Sequence, residues 1–479
     1  MLMASNSRFF FALMAVAAAI GVGNMWSYSQ LSYKTSGLFF IPYLISLIIL
    51  GLPLLMLEFS IGQHFNKNVV DLFASIRKRF SFIGWLMIFN AFIAMSFYAV
   101  VLSWHIVYIF ASFGVQWKNN AESYFFGNVL QASSGFSGFT QFSLPVFIAL
   151  ALAWLLIFIY VKKGYESMKK GILATFPVFI ILLLSFLMYA LTLDNALNGI
   201  YSFLRLDLNV LLSLNAWVSS FFMAVLSLGL YFGIMHAIGR RGKGFISGAS
   251  LNVLVSELII SIAIGLILFG ILGFLSINQA GDAGKLIGGF DTPFTVLAQA
   301  LPFFYKPTLM SMLFFVFLSI FFVFGTASLA YAITHVLVHK FKAKHAHAAI
   351  IVAGFGFLFG LLFLIKPGFY IMDIISHFIF YNICIALMLE LAAVGWFSDS
   401  ERLAASINQG AIIKLGGLWR FFIRYAIPLI IIALVFIRIK SDLIFYNKYP
   451  FPYVLIFGVG IVVIPLTAAF LMPQKILDR

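Results

Sequence analysis

The sequence predicts an all-α membrane protein of twelve transmembrane helices, with a five-plus-five inverted-repeat core in which helices 1 and 6 are broken. Three observations carry this. Of 479 residues, 63% are hydrophobic and only 9% charged, with mean hydropathy +1.08. A soluble surface needs about a quarter charged residues, so the chain belongs in a bilayer. Twelve apolar runs are each long enough to cross one. Two of them, the first and the sixth, carry small residues at mid-membrane, where an unbroken helix should be most regular.

The apolar runs place helices at 9–33, 38–61, 82–112, 143–161, 171–190, 214–238, 246–275, 308–338, 349–366, 369–396, 420–439 and 451–472. In the first, Ala17-Ala18-Ala19-Ile20-Gly21-Val22-Gly23-Asn24-Met25-Trp26 interrupts the run with two glycines and an asparagine. Glycine costs about 1 kcal/mol against alanine inside a helix. Backbone released there must find partners in protein, water or an ion, because lipid offers none. The alternative is a plain signal anchor with glycines packed on a neighbour. In the sixth run, Ala224-Val225-Leu226-Ser227-Leu228-Gly229-Leu230-Tyr231-Phe232-Gly233 repeats the pattern. Paired interrupted segments at matching positions point to an inverted-repeat transporter with its site at the midplane. The expected division is 1–190 for helices 1–5, 191–396 for helices 6–10, and 397–479 for helices 11 and 12.

A net charge of +15 raises the question of nucleic acid, but the basic residues fall in short loops. Seventeen Lys and Arg lie in loops on one side, among them Arg77, Lys78, Arg79, Arg240 and Arg241, against eight on the other. The positive-inside rule puts both termini in the cytoplasm, and the expected location is the bacterial inner membrane. The single cysteine, Cys384, excludes an intrachain disulfide. No nucleophile–base pair or metal cluster is legible, so an enzyme is not expected.

The first hinge is followed by Tyr33-Lys34-Thr35-Ser36-Gly37-Leu38-Phe39-Phe40-Ile41-Pro42-Tyr43 and by Gly51-Leu52-Pro53-Leu54-Leu55-Met56-Leu57-Glu58-Phe59-Ser60-Ile61-Gly62-Gln63. This order resembles the opening of the neurotransmitter:sodium symporter family, whose bacterial members include sodium-dependent amino-acid transporters of the leucine-transporter fold. Ser227 to Gly233 lies on the family's S-L-G-P-G-F-G, with Tyr231 in place of a glycine. Ser250-Leu251-Asn252, Gly325-Thr326-Ala327-Ser328, Ile407-Asn408-Gln409-Gly410 and Arg424-Tyr425-Ala426-Ile427-Pro428 resemble its later motifs.

The resemblance implies a site. A first sodium would be held by the carbonyl of Ala19, the side chains of Asn24 and Asn252, the hydroxyl of Ser227 and a substrate carboxylate. A second would use the carbonyls of Ala17, Ile20 and Val323 with Thr326. It should be weak, because Ala327 stands where the family has a second hydroxyl and Ser328 points about 100° away. Substrate contacts would come from Ala19, Val22, Gly23, Ala94, Tyr98, Leu226, Ser227, Gly229, Phe232 and Tyr331. Gly21 stands where monoamine transporters carry an aspartate, so the substrate should bring its own carboxylate. Tyr43, Ser227, Asn252 and Ser256 match chloride ligands, but Met223 replaces a glutamine, and Glu257 lies one residue from where chloride-independent relatives place a carboxylate. Chloride is therefore not expected to be required. Both charged gates are incomplete: Ser27 replaces the outer arginine, although Asp373 lies near the place of its partner, and Leu2 and Phe341 replace the inner pair.

Glu58 and Glu390 match acidic family positions of structural character. His105, His236, His335 and His377 show no metal spacing and read as core or interface residues. The function expected from all this is sodium-coupled import of a neutral amino acid by alternating access. A non-cycling amino-acid sensor and a proton-coupled transporter on the same fold are the alternatives.

Overall fold

The computed structural model describes residues 8–21, 39–133, 135–205, 208–242, 244–278, 289–409, 416–445 and 449–472. Ten helices among them are long and apolar enough to span a membrane: α2 (Phe40–Phe65), α3 (Lys78–Gly114), α4 (Leu144–Val161), α5 (Tyr165–Leu191), α7 (Ile246–Ile277), α8 (Pro307–Phe341), α9 (His345–Phe363), α10 (Gly368–Phe397), α11 (Gly416–Leu443) and α12 (Phe451–Leu471). Each coincides with an apolar run read from the sequence. The two remaining runs are the interrupted ones. α1 is described over Arg8–Gly21, a shorter apolar helix, and the expected break at 22–26 lies outside the described residues. α6 consists of α6a (Leu214–Ser227) and α6b (Ile234–Gly239).

Local chemistry sets several helix ends. Ser143 accepts from the Val146 amide at the start of α4, with a proline in the first turn. Ser213 caps α6a by accepting from the Ala216 amide. Asn68 caps a short helix, Val69–Ile76, between α2 and α3, accepting from Val70 and Asp71 at 3.1 Å each.

The core is the pair α3 and α8, which pack along much of their length. α3 is buried over almost its whole span, so it carries no polar stripe; α11 and α12 are largely exposed and sit at the periphery. Exposed apolar residues such as Leu144, Ile148, Leu152, Leu155 and Ile159 on α4 form the kind of face that lipid covers. α1 meets α8 backbone to backbone: a Cβ on Gly21 would lie 2.1 Å from Gly325 N. α6b presses equally closely on α2, where a Cβ on Gly62 would lie 2.4 Å from the carbonyl oxygen of His236.

Candidate functional site

The break in α6 is built from three left-handed residues. Gly229 has φ +63°, Tyr231 φ +67° and Gly233 φ +75°. Glycine takes such angles freely, but tyrosine gives up about 1–2 kcal/mol to do so. The sequence placed a tyrosine where the family has glycine, and the segment unwinds regardless. The reason is visible in the neighbouring helix. Glu58 on α2 accepts from the Tyr231 amide at 2.7 Å, giving this buried N–H the partner that helix would have supplied.

At the end of α6a the structure gathers four polar side chains. The Tyr43 hydroxyl lies 2.5 Å from Glu257 Oε1 and 3.0 Å from Ser227 Oγ. Ser261 donates to both oxygens of Glu257, at 3.1 and 3.3 Å. Tyr43, Ser227, Glu257 and Ser261 are all buried. Tyr43 has one proton, and the short contact to the carboxylate takes it, so Ser227 completes the chain by donating to the tyrosine oxygen.

This cluster fixes the register of α7 and corrects one expectation. Asn252, expected as a sodium ligand, is exposed on the same face as Leu251, Val255 and Ile259, while Val253 and Glu257 turn inward. One residue of rotation, about 100°, separates the two arrangements. Ser256 is only partly buried, so Glu257 takes the place beside Tyr43 and Ser227 that the sequence match gave to Ser256.

Of the expected substrate residues, Ala94, Tyr98, Phe232 and Tyr331 are buried and Leu226 is partly so. Tyr98 on α3 meets Phe322 on α8 edge to face, with ring centres 5.8 Å apart, and Tyr331 packs toward His335 at 5.9 Å. Val22, Gly23 and Asn24 lie outside the described residues. For the second sodium site, Ala17, Ile20, Val323 and Thr326 are buried where α1 touches α8, and Ala19 of the first site is buried beside them. The Thr326 hydroxyl donates to the Phe322 carbonyl at 2.8 Å, and the buried Ser328 hydroxyl has no partner among the described residues.

Two clusters went unread in the sequence. His236 on α6b stands between Glu58 of α2, 3.1 Å from its Nδ1, and Glu390 of α10, 2.9 Å from its Nε2. At the basic end of the bundle, Arg240 donates from Nε to Asn66 at 3.0 Å while its Nη1 meets His335 Nε2 and, at 3.4 Å, His339 Nε2. Nearby, Trp85 packs on Phe341 at 6.2 Å, and a buried pair joins Lys340 to Asp71 at 2.9 Å. Asp373, near the expected outer gate, accepts from Tyr449 at 2.7 Å.

A bundle of membrane-spanning helices whose sixth member unwinds beside buried polar groups fits a polytopic transporter. The chain belongs to the sodium:neurotransmitter symporter family, whose model matches residues 4–122 and 115–477. It is 29% identical over 474 residues to an uncharacterized sodium-dependent transporter of Methanocaldococcus jannaschii, covering 96% of this chain and 95% of that protein. It is 26% identical over 501 residues to the human sodium- and chloride-dependent GABA transporter 2, covering 94% of this chain and 82% of that protein. A sodium-dependent nutrient amino acid transporter 1 of Drosophila persimilis is 24% identical over 517 residues, covering 95% of this chain and 79% of that protein.

Proposed function

We propose that this protein is a sodium-coupled secondary transporter that imports a neutral amino acid by alternating access. Two five-helix repeats, 1–190 and 191–396, form the moving core, and both termini face the cytoplasm of a bacterial inner membrane. The observation that carries the reading is the unwound α6, with Ser227 at the end of its outer half inside a buried polar cluster. Sodium would be held by the Ala19 carbonyl, Asn24 and Ser227 together with the substrate carboxylate. Asn252 does not contribute in the arrangement described here. Replacing Asn24 with Ala is then expected to weaken sodium-dependent binding sharply, and Asn252→Ala to leave it near the parent value. Isothermal titration with sodium checks both, and equal losses in the two variants would return Asn252 to the site.

The deciding experiment is uptake of labelled neutral amino acids into proteoliposomes. Import should require an inward sodium gradient and fail under a pH gradient alone. Uptake driven by the pH gradient without sodium would mark a proton-coupled transporter. Binding without counterflow would mark a sensor.

Glu257 already supplies the negative charge beside Tyr43 and Ser227. Uptake should therefore persist when chloride is replaced by gluconate, and Glu257→Ser should make it rise with chloride. A parent that stops in gluconate contradicts this assignment.

The second sodium site should be weak, because Ala327 supplies no oxygen beside Thr326. One missing ligand costs on the order of 1–3 kcal/mol, or roughly ten- to a hundred-fold in affinity. Ala327→Ser should tighten sodium activation and raise its Hill coefficient. A parent already near two, with no change in the variant, refutes the idea.

A further inference from the structure

The triad of Glu58, His236 and Glu390 has no part in the sodium and substrate chemistry above, and all three side chains are fully buried. Its geometry restricts its protonation. The two ring nitrogens of His236 point in opposite directions, and each meets a carboxylate oxygen, at 3.1 and 2.9 Å. A neutral imidazole has one N–H and one lone pair. With a neutral ring, one of these contacts would set a lone pair against a carboxylate in a place no water reaches. Both contacts are attractive only if the triad holds one proton more than a neutral ring and two carboxylates would, whether it rides on the ring or on one carboxyl. A metal ion fits poorly, since it would use one ring nitrogen and leave the other carboxylate without a donor.

The surroundings agree. Among the described residues, Glu390 Oε2 and the Tyr231 hydroxyl are buried without a hydrogen-bond partner, and the 3.1 Å approach of His236 Nδ1 to Glu58 Oε2 is an ion-pair contact that is not aligned as a hydrogen bond. Tyr231 lies beside the two carboxylates, with Cys384 next to it, and the Phe73 ring closes the site 6.0 Å from the imidazole. On α8, His335 and His339 face Arg240. Without the added proton the set would hold two buried negative charges; with it, a net charge of one remains.

The triad's position gives the proton a mechanical meaning. Glu58 and Glu390 belong to α2 and α10, but His236 rides on α6b, immediately after the unwound segment. Glu58 also holds the Tyr231 amide inside that segment. From this geometry we infer that the triad is a proton-binding site whose occupancy latches α6b to α2 and α10. Loss of the proton to solvent, reached through a transient opening of the site, leaves a neutral ring with a lone pair facing one carboxylate, so α6b is released. Any step that moves α6b must by linkage change the affinity for this proton.

The test needs no substrate, so its outcome is separate from that of the transport reading. Hydrogen exchange of the peptide spanning 228–239 is measured in the full-length, detergent-purified protein across about pH 5 to 10, corrected for intrinsic exchange. Protection should fall roughly tenfold as the pH rises. His236→Gln should abolish that pH dependence, and His236→Lys, which keeps a cation with several N–H groups, should keep protection high throughout. If His236→Gln does not fold, Glu390→Gln should flatten the same profile. A parent with pH-independent protection, or a variant that keeps the parental profile, overturns the inference. So does protection that a chelator removes and zinc restores, since that would make the triad a metal site.

Discussion

Gly21→Ala should remove most of the folded transporter. The added Cβ would lie 2.1 Å from Gly325 N and 2.6 Å from its Cα, and 2.7 Å from the Phe324 carbonyl carbon. All three are backbone atoms of a buried helix, so nothing can rotate aside. Overpacking typically costs about 1–3 kcal/mol where side chains can yield, and here α1 and α8 must separate along their shared seam. Gly325→Ala should do the same, since its Cβ would lie 2.1 Å from the Gly21 carbonyl oxygen. Because both changes strain one contact, the double variant should cost less than the sum of the two. Thermal unfolding of the purified variants, followed by size-exclusion chromatography, reads this out. A Gly21→Ala protein with the parental melting temperature would show that α1 and α8 do not hold this approach. The same geometry leaves no room for any longer side chain at this position.

Glu58→Ala is expected to be nearly as damaging, for a different reason. It removes the acceptor of the Tyr231 amide and one of the two carboxylates against His236. The Tyr231 amide and one ring nitrogen of His236 are then buried without a partner, each at a cost of about 1–3 kcal/mol. Glu58→Gln keeps an oxygen for the Tyr231 amide and should recover part of the loss. Transport and melting temperature of the three proteins should rank parent, Glu58→Gln, Glu58→Ala. Equal behaviour of the Gln and Ala variants would mean that the hinge amide does not depend on this acceptor.

These two positions show what could be read from the chain and what could not. Helix existence was legible, because a span of about twenty apolar residues is forced by bilayer thickness. The break in α6 was legible from Ser227 to Gly233, and Glu58 was visible as an acid in an apolar run. The rotation of α7 was not. A helix that is apolar on every side gives no periodic signal, so nothing in the sequence chose between Asn252 and Val253 as the inward residue. The contact between His236 and Glu390 bridges 154 positions, and that between Tyr231 and Glu58 bridges 173. Such meetings are set by how helices dock, through close approaches such as Gly62 against His236, and local pattern carries no trace of them. Arg240 among Asn66, His335 and His339 was hidden for the same reason.

The contacts at the basic end have a practical corollary. Where related transporters close with opposite charges, Trp85 here packs on Phe341, and Arg240 is held by neutral acceptors. Closure by exposed ion pairs weakens as ionic strength rises, because mobile ions screen them. Closure by aromatic surface is indifferent to dilute salt but loses strength on cooling, as the hydrophobic contribution declines. The aromatic contacts at this end should therefore weaken on cooling and respond little to dilute salt.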